Sequence, residues 1–235
     1  LKFWNTCDMQ EFDRWDVSGQ QWKDTTRDYI KKKKYKSVLD CGAGNFSEYY
    51  SFKENGIDIE YTGIDITKRF VENAKTKGIN AYHGSIQSMP FKDETFDVVI
   101  CYDIINHQRE ILPCIDEALR VAKKEVIIGF HAPWAEERTA YKYLKNKMQN
   151  RDVNTLKGIT EEGFKMGIIL YKDRHLTNFI YRKSLIKAIE KRKFKFAFET
   201  IQFNTMVWHY KDDNTKHLIS TPQVLPKNIL NIWKG

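Results

Sequence analysis

From residue 37 onward, short apolar runs alternate with amphipathic stretches. SVLD (37–40) reads as a buried strand, and FSEYYSFKENG (46–56) as a helix stopped at a glycine. IEYTGID (59–65) is a second strand, and TKRFVENAKTKG (67–78) a helix with Thr67 as N-cap and Gly78 as stop. NAYHGS (80–85) and FDVVICYD (96–103) are the third and fourth strands, the latter almost wholly apolar. REILPCIDEALRVAKK (109–124) is a helix with Pro113 in its first turns, and EVIIGF (125–130) a fifth strand. Strands alternating with helices at this spacing imply an α/β fold built on a mostly parallel sheet, helices on both faces. Residues 131–178 break the rhythm and read as a mostly helical insertion after the fifth strand. YRKSLIKAIEKRK (181–193) is a helix, and FKFAFETIQF (194–203) with TMVWHYK (205–211) reads as a hairpin. The tail, PQVLPKNILNIWKG, carries no clear signal.

We divide a single domain accordingly: an N-terminal helical lid (1–36), a first half (37–130), an inserted recognition segment (131–178), and a C-terminal helix and hairpin (179–235). Its 235 residues suit one large α/β domain, and 41% hydrophobic with 14% aromatic residues is enough for a packed core. There is no long apolar run, so no transmembrane helix is expected. The first residues, LKFWNTCDMQEFDRW, lack a basic-then-apolar signal pattern. The four cysteines have no CxxC spacing; no metal site is expected, Cys41 and Cys101 read as small buried thiols, and a reducing, cytoplasmic setting follows. Net charge is +8 and unevenly placed: residues 135–200 carry 16 basic and 8 acidic side chains, the remainder 23 of each. Such a segment could meet nucleic acid, acidic glycan, a nucleotide-linked substrate or a membrane surface, or be a solvated helical face.

The chemistry concentrates at GAGNFS (42–47), between the first strand and its helix. Gly42 and Gly44 let the backbone approach a ligand, and the helix N-terminus offers N–H groups. Asp65 ends the second strand, 21 residues after Gly44. An acid there can accept both ribose hydroxyls, so turn and acid together mean an adenosine-type cofactor. A dinucleotide site wants GxGxxG, but Ser47 stands at the third position and Asp40 precedes the first glycine. An anion there would repel a pyrophosphate and suits an amino group and a sulfonium, favouring S-adenosylmethionine over NAD.

VLDCGAGNFS, followed in order by YTGIDIT, GSIQSMPFKDETFDVVICYDIINH and ALRVAKKEVIIGF, resembles the class I S-adenosylmethionine-dependent methyltransferases, type 11 most closely. The resemblance implies a Rossmann-like, seven-stranded, mostly parallel sheet with an antiparallel last strand. It places Asp40, Gly42, Ala43 and Gly44 around the methionine moiety, Asp65 on the ribose and Ile66 beside the adenine. Ser85, Ile86 and Gln87 would line the adenine edge, and Tyr102 and Asp103 would close the site. Three features depart from the family pattern: Phe46 where a third glycine is frequent, Ser85 where an acid is common, and no Pro-Gly-Gly turn before the fifth strand. Met89 and Phe91 read as core.

The sulfonium activates the methyl group, so the protein must hold a nucleophile in line and, for an alcohol, supply a base. His107, four residues past Asp103, is the favoured base; His131, after the fifth strand, is the second candidate, and Asp103 could act as base or orient a histidine. No NPPY-like string follows the fourth strand, which favours oxygen as acceptor. Trp15, Trp22, Arg14 and Trp134 offer aromatic faces and a cation suited to a sugar ring, the alternative for Trp15 and Trp22 being helix packing that closes a lid over the cofactor. The expected acceptor is a sugar, glycan or small polar hydroxyl compound. RNA methylation through the basic segment and non-catalytic cofactor binding are the competing readings.

Overall fold

The computed structural model describes residues 21–131, 153–157, 165–171, 176–180, 182–191, 195–202, 205–210 and 227–233. Two compact units emerge. One holds the described residues up to Tyr102 together with Pro113–Ile127; the other holds Asp103–Leu112 and the described residues from Ile128 to Trp233.

Strands β1 (Ser37–Cys41), β2 (Glu60–Asp65), β3 (Ala81–His83), β4 (Phe96–Tyr102) and β5 (Ala122–His131), all within the first unit except Ile128–His131 of β5, form a parallel Rossmann-like sheet in the order β5-β4-β1-β2-β3. Centrality dictates composition. All seven residues of β4 are buried, matching an apolar run interrupted only by Asp97, because a central parallel strand is covered on both faces. Helices α1 (Gln21–Lys33), α2 (Ser47–Glu54), α3 (Lys68–Thr76) and α4 (Leu112–Val121) belong to this unit apart from Leu112. Helix α3 buries Phe70, Val71 and Ala74 along one stripe and stops where Gly78 takes φ 75°, the left-handed value glycine supplies at little cost. Helix α4 accommodates Pro113 at its second position, where a missing N–H leaves no hydrogen bond unmade. No turn separates α4 from β5: helix ends at Val121 and strand starts at Ala122, three residues before the expected start.

Helix α1 is built into this unit by polar contacts. Tyr29 and Tyr35 donate hydroxyls at 3.2 and 2.6 Å to the two oxygens of Glu125, which is fully buried in β5. Thr26 donates to the Lys23 carbonyl at 2.8 Å, so the 2.6 Å contact between its hydroxyl and Tyr102 must be donated by the tyrosine. Glu48, at the start of α2, lies 3.2 Å from Lys23 Nζ and 3.7 Å from Arg27 Nε, all three largely out of solvent.

In the second unit, β6 (Val153–Lys157), β7 (Lys165–Tyr171) and β8 (Leu176–Ile180) make an antiparallel sheet. This corrects the mostly helical reading of the insertion over its described residues. The β-branched and aromatic side chains of GIILY and LTNFI favour a pleated surface, and the interspersed lysines had suggested a helical face. Helix α5 (Arg182–Glu190) buries Leu185 and Ile189. Strand β9 (Lys195–Gln202) pairs antiparallel with β10 (Thr205–Tyr210), and with β11 (Lys227–Trp233) from Ile201 opposite Lys227 to Lys195 opposite Trp233. The tail that carried no signal thus holds a strand. No helix among the described residues is long and apolar enough to cross a membrane.

Candidate cofactor and active site

The glycine turn leaves β1 as expected, with Gly42 at φ 73° and Gly44 at φ 55°. The N–H groups of Gly42 and Ala43 both point to the Ile64 carbonyl, at 2.8 and 3.2 Å, tying the turn to the end of β2. The Gly44 N–H donates at 2.9 Å to Asp65 Oδ2, and the Thr67 N–H donates at 2.7 Å to Oδ1. Asp65 is therefore the clasp between turn and strand. Burial pushes its carboxyl above the usual carboxylate range, and hydrogen bonds from Thr67 and Gly44 oppose that shift. Thr67 sits at the N-cap of α3 as expected, yet makes no side-chain cap; it serves Asp65 instead. Two N–H bonds leave carboxylate lone pairs for further donors.

Asp40, buried at the end of β1, accepts the Tyr61 hydroxyl at 2.7 Å. Burial first, and Asp40 second, push the Tyr61 phenol well above its ordinary range, so it remains a donor. Tyr61 was not singled out in the sequence; its position in the alternation of IEYTGID makes it an ordinary strand residue.

Phe46 takes φ 64°, the left-handed region, while its side chain is fully buried. The backbone there needs a positive φ, which glycine supplies freely and phenylalanine adopts at a cost, in keeping with the glycine that the family resemblance implies at this position. The ring is accommodated because Gly63, directly across in β2, has no side chain. A Cβ on Gly63 would lie 2.8 Å from Phe46 Cδ1 and 3.0 Å from the Tyr61 hydroxyl.

Ile66 is an exposed hydrophobe beside Asp65, with its carbonyl 3.0 Å from His83 Nε2. Ser85 and Ser88 form an isolated bridge beyond β3, which ends at His83 rather than Ser85. Ser85 Oγ accepts the Gln87 N–H at 3.2 Å, Ile86 is buried and Gln87 is exposed. Met89 is core, 3.8 Å from Cys41 Sγ, and Phe91 packs edge-on against Tyr82 and Phe96. Cys41, Cys101 and Cys114 are buried free thiols. Tyr102 ends β4 with its hydroxyl committed to Thr26, and burial raises its phenol well above the ordinary range.

Beyond Tyr102, Asp103 adopts φ 54° and donates its N–H to the Gly129 carbonyl at 2.8 Å. A single 3₁₀ turn, Ile105–His107, follows; buried Ile105 seats it and leaves the His107 ring half-exposed. His131 is the last residue of β5, and Trp22 lies in the first turn of α1. Arg14, Trp15 and Trp134 fall outside the described residues. Among the described residues, no group of three or more His, Cys, Asp or Glu side chains is arranged to hold a metal ion. The Lys23–Glu48–Arg27 cluster beside the turn went unnoticed in the sequence, since lysine, arginine and glutamate on helices ordinarily face water.

A parallel sheet whose first strand–turn–helix presents left-handed glycines to an acid at the end of the second strand defines a Rossmann-like, nucleoside-binding protein. The chain belongs to the methyltransferase-domain family, whose model matches residues 32–197; S-adenosylmethionine is the cofactor of that family. It is 24% identical over 104 residues to the uncharacterized methyltransferase YcgJ of Bacillus subtilis, covering 41% of each chain. It is 32% identical over 96 residues to the uncharacterized protein MJ0638 of Methanocaldococcus jannaschii, covering 41% of this chain and 40% of the other. The match thus spans about two-fifths of the length of these curated relatives. Among solved structures, YcgJ superposes with TM-score 0.56 at 18% identity, covering 90% of this chain and 98% of that one. The 1,6-didemethyltoxoflavin-N1-methyltransferase of Burkholderia thailandensis, bound to 1,6-didemethyltoxoflavin and S-adenosylhomocysteine, superposes with TM-score 0.59 at 11% identity, covering 96% of this chain and 82% of that one. These structural likenesses establish the fold.

Proposed function

We propose that this methyltransferase transfers the methyl group to an oxygen of a sugar, glycan or related small polar molecule, with His107 as general base. The observation that carries the cofactor half of this reading is the clasp of Asp65 on the Gly44 N–H. It holds the turn shut while leaving carboxylate lone pairs for the ribose hydroxyls. Asp40, Gly42, Ala43 and Gly44 take the methionine end, where a buried carboxylate suits an amino group and a sulfonium. Ile66 offers the exposed apolar surface an adenine ring needs, with Ser85, Ile86 and Gln87 along its edge. Tyr102 and Asp103 close the site. When bound, S-adenosylmethionine supplies an activated methyl group; the protein's task is to align the acceptor and remove its proton.

The half-exposed His107, on a turn directly after β4, supports its assignment as base, since a strand's carboxyl end is where this fold presents its chemistry. Asp103 orients a histidine, and His131 contacts the acceptor or shares the role of base. Trp15, Trp22, Arg14 and Trp134 bind the acceptor. The reading includes a seven-stranded sheet with an antiparallel last strand, a helical N-terminal lid over residues 1–36, and a cytoplasmic setting.

The test pairs calorimetry with turnover. S-adenosylhomocysteine should bind the wild-type protein and His107→Ala alike, and fail to bind Asp65→Ala. Release of S-adenosylhomocysteine, followed over panels of sugars, phenols and amines, should be fastest with hydroxyl acceptors and fall about 10²–10⁴-fold in His107→Ala. Equal turnover in that variant removes the histidine from the mechanism; turnover with amines alone overturns the oxygen assignment.

A further inference from the structure

Helix α4 carries an arginine and a glutamate whose partners are largely backbone atoms of the loop between β3 and β4. Arg120 Nη1 donates to the Phe91 carbonyl at 2.9 Å, and Nη2 donates to the Met89 carbonyl at 3.2 Å. Glu117 Oε1 accepts the Met89 N–H at 2.6 Å. The two side chains lock each other, Nε to Oε2 at 2.8 Å and Nη2 to Oε1 at 2.7 Å. Both backbone polar groups of Met89 are therefore held from the same helix.

The consequence falls on the residues just upstream. Ser85 to Ser88 form a tight turn, in which the Ser88 N–H reaches the Ser85 carbonyl at 3.3 Å and the Gln87 N–H reaches Ser85 Oγ at 3.2 Å. One end of that turn continues from β3; the other runs directly into the pinned Met89. Such a short segment, buried only at Ile86, has little of its own to set its position. The ion pair of Arg120 with Asp93, at 2.7 Å, contributes little because the aspartate is 77% exposed. What matters is the planar fork, which reaches two carbonyls and a carboxylate together, a geometry lysine cannot reproduce.

We propose that Arg120, oriented by Glu117, is a positioning residue that sets the register of the Ser85–Gln87 turn against the adenine edge and so governs discrimination for adenine. The inference rests on the assignment of that turn to the adenine made above. The competing view is that the pair merely fastens a helix to a loop.

Dissociation constants for S-adenosylhomocysteine and S-inosylhomocysteine, which differ in the 6-amino group read at that edge, separate the two views. They are measured by calorimetry for wild type, Arg120→Lys and Glu117→Gln, alongside hydrogen exchange of the Met89 amide without ligand. The wild-type protein should prefer the adenine compound. Arg120→Lys should cut that preference at least threefold and speed Met89 exchange about tenfold, while urea unfolding stays cooperative. Glu117→Gln should do the same to a smaller degree, and its ratio decides the matter if Arg120→Lys fails to fold. An unchanged preference in the folded variants overturns the proposal, even if both affinities fall. A wild-type preference of one, with Met89 exchange still accelerated, overturns instead the adenine assignment on which the proposal stands.

Discussion

Replacing Gly63 by alanine drives a methyl group into the space between Phe46 and Tyr61. The new carbon would lie 2.8 Å from Phe46 Cδ1 and 3.0 Å from the Tyr61 hydroxyl, both well inside van der Waals contact. Neither neighbour can yield easily. Phe46 is fully buried on a left-handed backbone, and Tyr61 is held by its 2.7 Å hydrogen bond to Asp40. Overpacking of this kind costs about 1–3 kcal/mol, and displacing a hydrogen bond to a carboxylate adds to it. We expect Gly63→Ala to lose about 2–3 kcal/mol, read as a fall of roughly 1 M in the urea midpoint for an m-value near 2 kcal/mol/M. Cofactor affinity should fall with it, because Tyr61, the partner of Asp40, and Phe46, which follows the turn of Gly42 and Gly44, are the groups pushed aside. A double-mutant cycle isolates the cause. Phe46→Ala alone should cost about 3–5 kcal/mol through lost burial, but about 1–3 kcal/mol less when alanine already occupies position 63. Strain at φ 64° is common to both arms and cancels. Additivity within 0.5 kcal/mol, the usual result for independent sites, would refute the argument that these two positions are fitted to one another.

Tyr35→Phe removes the shorter of the two hydroxyl bonds to the buried Glu125 and should destabilise the protein by about 1.5–3 kcal/mol in urea unfolding, with cofactor affinity retained. Thr26→Val should cost less, about 1 kcal/mol, since it removes a hydrogen bond between two neutral hydroxyls rather than one to a carboxyl group. Two carboxyls should shape the acid limb of a stability–pH profile. Arg120 holds Glu117 below its ordinary 4.5, and the Lys36 N–H and Lys124 ammonium, against some burial, hold Asp97 below 3.8. Their contributions are present above those ordinary values and disappear as pH falls through the lower folded ones, so Glu117→Gln should flatten the profile below about pH 4.5. Asp65 works in the opposite sense: its raised carboxyl costs stability as pH climbs past 3.8, so Asp65→Asn should make stability rise more steeply with pH from there.

How much of this was legible depends on the range of the interaction. The short, mostly apolar runs of β1 and β4 announce strands because a central parallel strand has no wet face. Gly78 and Thr67 mark helix ends because those signals are local. The start of β5 was misplaced because Ala-Lys-Lys favours a helix; the strand wins there because Ala122 is buried in the sheet while both lysines face water. Glu125 defeats sequence reading altogether, for its two tyrosine partners lie 96 and 90 residues upstream. At the candidate site, glycines, acids and their spacing were readable; the left-handed Phe46 and the commitment of the Tyr102 hydroxyl to Thr26 were not, since both depend on a neighbour brought in by the fold.

Helix α1 separates two ideas of where a domain starts. The family match begins at residue 32, almost at the end of that helix, so inheritance marks out one stretch of chain. Cooperative folding marks out another, because Glu125 and Glu48 are carboxylates buried against side chains that the helix, and Tyr35 just after it, supply. A gene fragment cut at the homology boundary would lose Lys23 and Arg27, the two cations beside buried Glu48, and Tyr29, one of the hydroxyl donors to Glu125, at several kcal/mol in all. Grafting this cofactor-binding half onto another protein would therefore require carrying along a helix that similarity alone would leave behind.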